Sequence, residues 1–176
     1  HCLVTAIEDG NLVAVVDGLG HGPEAAIAAE KAIASIQGHP NEPLDQLVQR
    51  CHTVLNGTRG AVMNLATLDA RRGTLTWLGI GDVEGRLLLR TSESGYQQQH
   101  LILRSGVVGQ RLPKLQTFAN RIERGDMLIF ATDGISPDFA EHVRIDARVE
   151  EIADGIVSRY CKRTDDALAL VVRYLG

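Results

Sequence analysis

The sequence predicts an α+β domain built on antiparallel sheet. Two helical segments lie near the start and one near the end, with a long meander of short strands between them. Strands and helices do not alternate one by one, as βαβ units require. A chain of 176 residues, 44% hydrophobic, can bury a core without disulfides or a structural metal. It reads as a single domain over 1–176. The chain opens on His1, not Met, so a short N-terminal segment is expected to be missing.

The first strand is predicted at Asn11 to Val16, an apolar, β-branched run too short for a helix and ended by Asp17-Gly18. Pro23 suits the first turn of a helix that runs to about Ile36 and stops at Gly38 and Pro40. A second helix starts near Pro43, sets Leu44, Leu47, Val48 and Leu55 on one side, and stops at Asn56-Gly57. Strands are predicted at 61–68, 73–80, 85–90, 100–104, 115–122 and 127–130, with Gly, Asp and Pro turns between them. A third helix covers about 148–160, and Leu168 to Tyr174 forms the last strand.

Composition excludes several classes of function. Eighteen basic against 22 acidic residues leave a formal charge of −4, which gives no electrostatic case for nucleic acid or an anionic membrane. No stretch approaches the roughly 20 apolar residues of a membrane span. The cysteines, at 2, 51 and 161, form no CxxC pair, so a zinc site and a disulfide framework are disfavoured and a cytoplasmic setting is expected.

Three acidic signals lie at the ends of apolar strands: Asp17-Gly18 after VAVV, Asp133-Gly134 after LIFAT, and Asp165-Asp166 before ALALVV. Each alone reads equally as a turn or a helix cap. Together they supply the hard oxygen donors that Mg²⁺ and Mn²⁺ prefer, beside glycines that admit a close approach. Two such ions can activate a bridging water and clamp a phosphoryl group. The Gly18-x-Gly20-x-Gly22 run lacks both nucleotide-loop spacings.

Asp17-Gly18-Leu19-Gly20-His21-Gly22, Ala131-Thr132-Asp133-Gly134-Ile135 and Thr164-Asp165-Asp166-Ala167 resemble the metal-dependent protein phosphatases of the PP2C class. Gly106 to Pro113, followed by Arg124 to Gly134, is similar in spacing to the bacterial SpoIIE/RsbX branch, and Gly79-Ile-Gly-Asp-Val-Glu84 looks most like its RsbX type. The resemblance runs from about Leu3 to Arg173. It implies an α/β-β/α sandwich of two antiparallel sheets flanked by helices, with two Mn²⁺ or Mg²⁺ ions at one edge.

By the same resemblance Asp17 bridges both ions, the Gly18 carbonyl binds one, and Asp133 and Asp165 bind the second. Asp166 is then a further ligand or orients its neighbours. Asp82 holds a weaker third ion, or simply sits in a hairpin turn. An upstream acidic residue of the family has no counterpart here. The eukaryotic branch has its candidate donor His two residues after the first Asp, where this chain has Leu19. His21 has two readings, as the general acid for the leaving oxygen or as packing between the loop and the first helix. The two helices after the metal loop are expected to be able to adjust Asp17 and Gly18 on partner binding.

The implied activity is serine/threonine phosphoprotein phosphatase, acting on a phosphorylated STAS-domain regulator in a bacterial partner-switching or stress pathway, with no nucleic-acid or membrane partner. The alternatives are a catalytically weak module of the same fold that sequesters a phosphoprotein, and a hydrolase of small phosphoesters.

Overall fold

Leu12 to Val16 have no solvent exposure and form the middle of β2 (Gly10–Gly18). Around that strand the computed structural model describes residues 1–91, 95–162 and 166–176. These form two compact units, His1–Val83 with Ile102–Arg121, and Glu84–Leu101 with Ile122–Gly176.

In the first unit β1 (Cys2–Ile7) and β3 (Ala61–Asp69) flank β2 antiparallel, and β4 (Thr74–Ile80) continues the sheet beyond β3. The short β7 (Leu103–Arg104) adds to β4 in parallel, and β8 (Phe118–Arg121) pairs β4 antiparallel. Two helices, α1 (Pro23–Gln37) and α2 (Leu44–Val54), bury spaced apolar stripes. The α1 stripe is Ala25, Ala28, Ala29, Ala32 and Ile36, and its small side chains let the helix lie close to the strands. It shares one cluster with Leu12, Ala14 and Val16 of β2 and with Met63 and Leu65 of β3. Every second residue of these strands therefore faces the helices, and Val13, Val15 and Asp17 point the other way.

The second unit is a four-stranded antiparallel sheet in the order β10 (Ala169–Arg173), β9 (Met127–Ala131), β5 (Glu84–Arg90) and β6 (Tyr96–His100). Helix α3 (Val149–Tyr160) and a 3-10 turn (Pro137–His142) cover Met127, Ile129 and Ala131 through Phe139, Ile152 and Ile156. Arg173 Nη2 donates to the carbonyls of Ile145 and Ala147, at 2.6 and 2.8 Å, and so ties β10 to the segment ahead of α3.

The expected α+β class with two sheets is therefore what the chain forms, and all three helices lie within a residue or two of their predicted bounds. Three strands depart from expectation. β1 was not predicted: its exposed and half-buried residues alternate at a sheet edge. The predicted strand at 100–104 holds only β7 and the last residue of β6, whose Tyr96–Gln99 stretch was not predicted, because pairing with β5 ends at His100 and the chain joins β4 only at Leu103. The predicted strand at 115–122 shrinks to Phe118–Arg121, since Leu115 packs on the first unit's core instead of pairing. No helix among the described residues is long and apolar enough to cross a membrane.

Candidate metal centre

Asp17 is the penultimate residue of β2, half-buried and paired with Val62 of β3. Gly18 follows, buried, and a Cβ there would collide with the Ala25 carbonyl in the first turn of α1. The strand end and the helix start thus meet backbone to backbone, a contact only glycine permits. The Leu19 N–H donates to the Gly60 carbonyl at 3.1 Å, so the loop beyond Asp17 stays bound to the head of β3. Gly20 turns at φ +83°, and the Arg59 guanidinium lies against it, with Nη1 2.7 Å from where a Cβ would stand. Arg59 Nε in turn donates to Glu24 Oε2 at 2.6 Å, closing a strap across the loop.

A second loop braces this one. Val108 and Ala61 exchange both backbone hydrogen bonds, and the Gly109 N–H donates to His52 Nδ1 of α2 at 3.0 Å. His21 is exposed in the turn ahead of α1. Asp82 is exposed just after β4, where the Gly81 N–H donates to the Arg104 carbonyl and Asn64 Nδ2 donates to the Val83 carbonyl.

In the second unit Asp133 is exposed immediately beyond β9. Thr132 and Leu168 fasten the turn from both sides: the Thr132 N–H donates to the Leu168 carbonyl and the Leu168 N–H to Thr132 Oγ1, each at 3.0 Å. A Cβ on Gly134 would strike the Asp166 carbonyl, so the Asp133-Gly134 turn packs on the main chain at Asp166. The structure brings these two predicted segments together. Asp165 lies outside the described residues.

Three features of these surroundings went unread in the sequence. Lys162 Nζ donates to the Asp133 carbonyl and its N–H to the Gly134 carbonyl, both at 2.8 Å. A lysine three residues ahead of Asp165, in a chain with only three lysines, was the available signal. Asn64 is a fully buried polar residue on the Asp17 face of the first sheet, legible as the odd member of AVMNLATL. Arg86 is also nearly buried, held by Glu84 and His100, with its Nε unpartnered.

Among the described residues no three His, Cys, Asp or Glu side chains converge on one point. The donors at each turn are nonetheless carboxylates and main-chain carbonyls, the chemistry of a hard divalent cation and not of zinc or copper. The carbonyl oxygen Oδ1 of Asn64 is buried on the same face as Asp17 without a hydrogen-bond partner, so acceptor capacity is left for a cation or its waters. The residues present fit Mg²⁺ or Mn²⁺.

Comparison with known proteins agrees along almost the whole chain. Residues 8–175 match the family model described as Stage II sporulation protein E (SpoIIE). The chain belongs to the SpoIIE family. Among SpoIIE relatives, Phosphoserine phosphatase RsbX of Bacillus subtilis (strain 168) is 27% identical over 161 residues, covering 90% of this chain and 79% of RsbX. A chain from a structural study of the bacterial stressosome, a modular system adapted to control secondary messenger signalling, is 33% identical. It superposes with a TM-score of 0.86 over 98% of this chain and 90% of its own.

RsbX solved with magnesium is 24% identical, with a TM-score of 0.83 over 97% of this chain and 84% of that one. The serine/threonine phosphatase PstP, solved with two manganese ions, shares the fold at 17% identity and a TM-score of 0.77, over 99% of this chain and 91% of its own. The fold expected from the sequence, and the expectation of a protein phosphatase of the SpoIIE family, are supported together.

Proposed function

We propose that this chain is a Mn²⁺- or Mg²⁺-dependent serine/threonine phosphoprotein phosphatase, acting in the cytoplasm on a phosphorylated STAS-domain regulator of a partner-switching pathway. The observation that carries this reading is the SpoIIE match over residues 8–175, which includes every candidate ligand. Asp17, the Gly18 carbonyl, Asp133 and Asp165 hold two ions, Asp166 orients its neighbours, and Asp82 contributes a weaker third site. When bound, the ions activate a water for in-line attack on phosphorus and neutralise the phosphoryl oxygens.

The chain's own residues hold this arrangement. Contact between Gly18 and Ala25 sets the Asp17 carboxylate at a rigid strand end. Lys162 fixes the Asp133-Gly134 turn through two carbonyls. His21, exposed in the same loop as Gly18, donates a proton to the departing serine or threonine oxygen.

The test is phosphate release from a phosphorylated STAS protein with Mn²⁺, set beside free phosphoserine and ATP. Asp17→Ala and Asp133→Ala are expected to lower kcat by at least about 100-fold, because each removes charge stabilisation at the reacting group. Binding of the phosphoprotein without turnover by the wild-type chain would establish sequestration instead. Faster turnover of ATP or phosphoserine would establish a small-phosphoester hydrolase.

A further inference from the structure

Asn64 sits at 0% exposure in the middle of β3, between Val15 of β2 and Gly79 of β4. Its strand neighbours Met63 and Leu65 belong to the helix-side cluster, so Asn64 alternates to the opposite face, the face of Asp17. Asp17 pairs with Val62, which makes Asn64 its diagonal neighbour, roughly 7–8 Å away between backbones. Position 79 is glycine where space is short on both sides, since a Cβ there would collide with Leu103 Cδ2 and lie 3.2 Å from Asn64 Nδ2.

Asn64 Nδ2 donates to the Val83 carbonyl at 3.2 Å. That bond fixes the orientation of the amide, because only its NH₂ end can face a carbonyl oxygen. Oδ1 is left buried with no partner. An orphaned acceptor of this kind is destabilising, a cost that a leucine of similar size would avoid. The acceptor therefore awaits a donor, on the same face as a carboxylate proposed to hold a cation.

We propose that Asn64 is a positioning residue of the cation site: Oδ1 accepts a hydrogen bond from a water of the hydrated cation held at Asp17, while Nδ2 pins Val83 at the end of the turn that carries Asp82. This rests on the divalent-cation reading above and adds a residue to it. The role is one of orientation, comparable to the partners that steer metal ligands elsewhere, whose loss weakens metal affinity about 10–100-fold.

The isosteric series Asn64→Leu, wild type and Asn64→Asp separates the oxygen from the packing. Each protein is melted without divalent ions and then with a fixed excess of Mn²⁺, and its Mn²⁺ Kd is measured by calorimetry. A purely structural residue shifts both melting curves alike, so the difference between them isolates the cation. The cation-dependent rise in Tm is expected to be smallest in Asn64→Leu and largest in Asn64→Asp, with the Leu variant binding Mn²⁺ about 10-fold more weakly. Equal rises across the series overturn the role of Asn64 and leave the metal site standing, whereas no rise in the wild type overturns both. If Asn64→Leu does not fold, a rise in Asn64→Asp no larger than in wild type is enough to reject the proposal.

Discussion

Acidic residues beside apolar strands do different work at different positions, and Asp126 and Asp133 show it within one segment. Asp126 is buried, and its two carboxylate oxygens accept from the N–H groups of Arg90 and Glu123, at 2.8 and 2.7 Å. It fastens the backbone at the entry to β9, whereas Asp133 stands exposed at the exit from it. Cys51 is a clearer case of burial setting chemistry. Packed between α1 and α2, its thiol is pushed up from 9.0 to about 12, chiefly by desolvation. Because folding raises this pKa, the stabilisation is complete below about pH 9 and is lost as pH rises towards 12. The wild type should therefore lose up to about 1.4 kcal/mol per pH unit in that window. Urea midpoints from pH 8 to 10.5 would show a shallower decline in Cys51→Ala, and parallel profiles would refute the assignment. At this scale the sequence is legible in where residues stand, as for Asp17 and Asp133 at the ends of β2 and β9. Asn64 and Lys162 carry a sequence signal, but their contacts do not, because their partners are the Val83 and Asp133 carbonyls, set by the fold.

Elements were readable where periodicity and punctuation agree. α1 begins at Pro23 and ends at Gly38, and its alanine stripe repeats at helical spacing, so its bounds follow from the sequence alone. β6 runs YQQQH and offers no apolar signal, because it lies at a sheet edge and takes its register from hydrogen bonds to β5. β8 is shortened for the opposite reason, as Leu115 ahead of it is drawn into packing. The join between β2 and α1 is where an element boundary meets the candidate site. Gly18→Ala places a methyl group on the Ala25 carbonyl, and neither the strand end nor the helix start can yield without moving Asp17. Overpacking of this kind costs about 1–3 kcal/mol, and here it should also lower phosphatase activity. Denaturant unfolding and Mn²⁺-dependent turnover of the same preparation test both effects. A Gly18→Ala protein with wild-type midpoint and rate would show that the contact is dispensable.

For the whole molecule the charge count acquires a meaning that composition could not supply. The chain carries 22 acidic and 18 basic residues, a formal −4 with histidines neutral. Setting aside Asp17, Asp133, Asp165 and Asp166 leaves 22 − 4 = 18 acidic residues against the 18 basic, so the excess equals the four candidate aspartates. Two divalent cations add four positive charges to this formal count. The net charge should therefore step from −4 to about −2 with one ion and to about 0 with two. Electrophoretic mobility at pH 7 and low ionic strength, followed through a Mn²⁺ titration, counts the ions directly. Mobility towards the anode should fall to about half and then nearly vanish, and solubility should drop as the protein approaches neutrality. Asp133→Ala, which starts one charge less negative, should halt partway because one of its ions is lost. A wild-type mobility that stops near half would mean that the chain holds a single ion, and an unchanged mobility would remove the cation site from which both the chemistry and the role of Asn64 were argued.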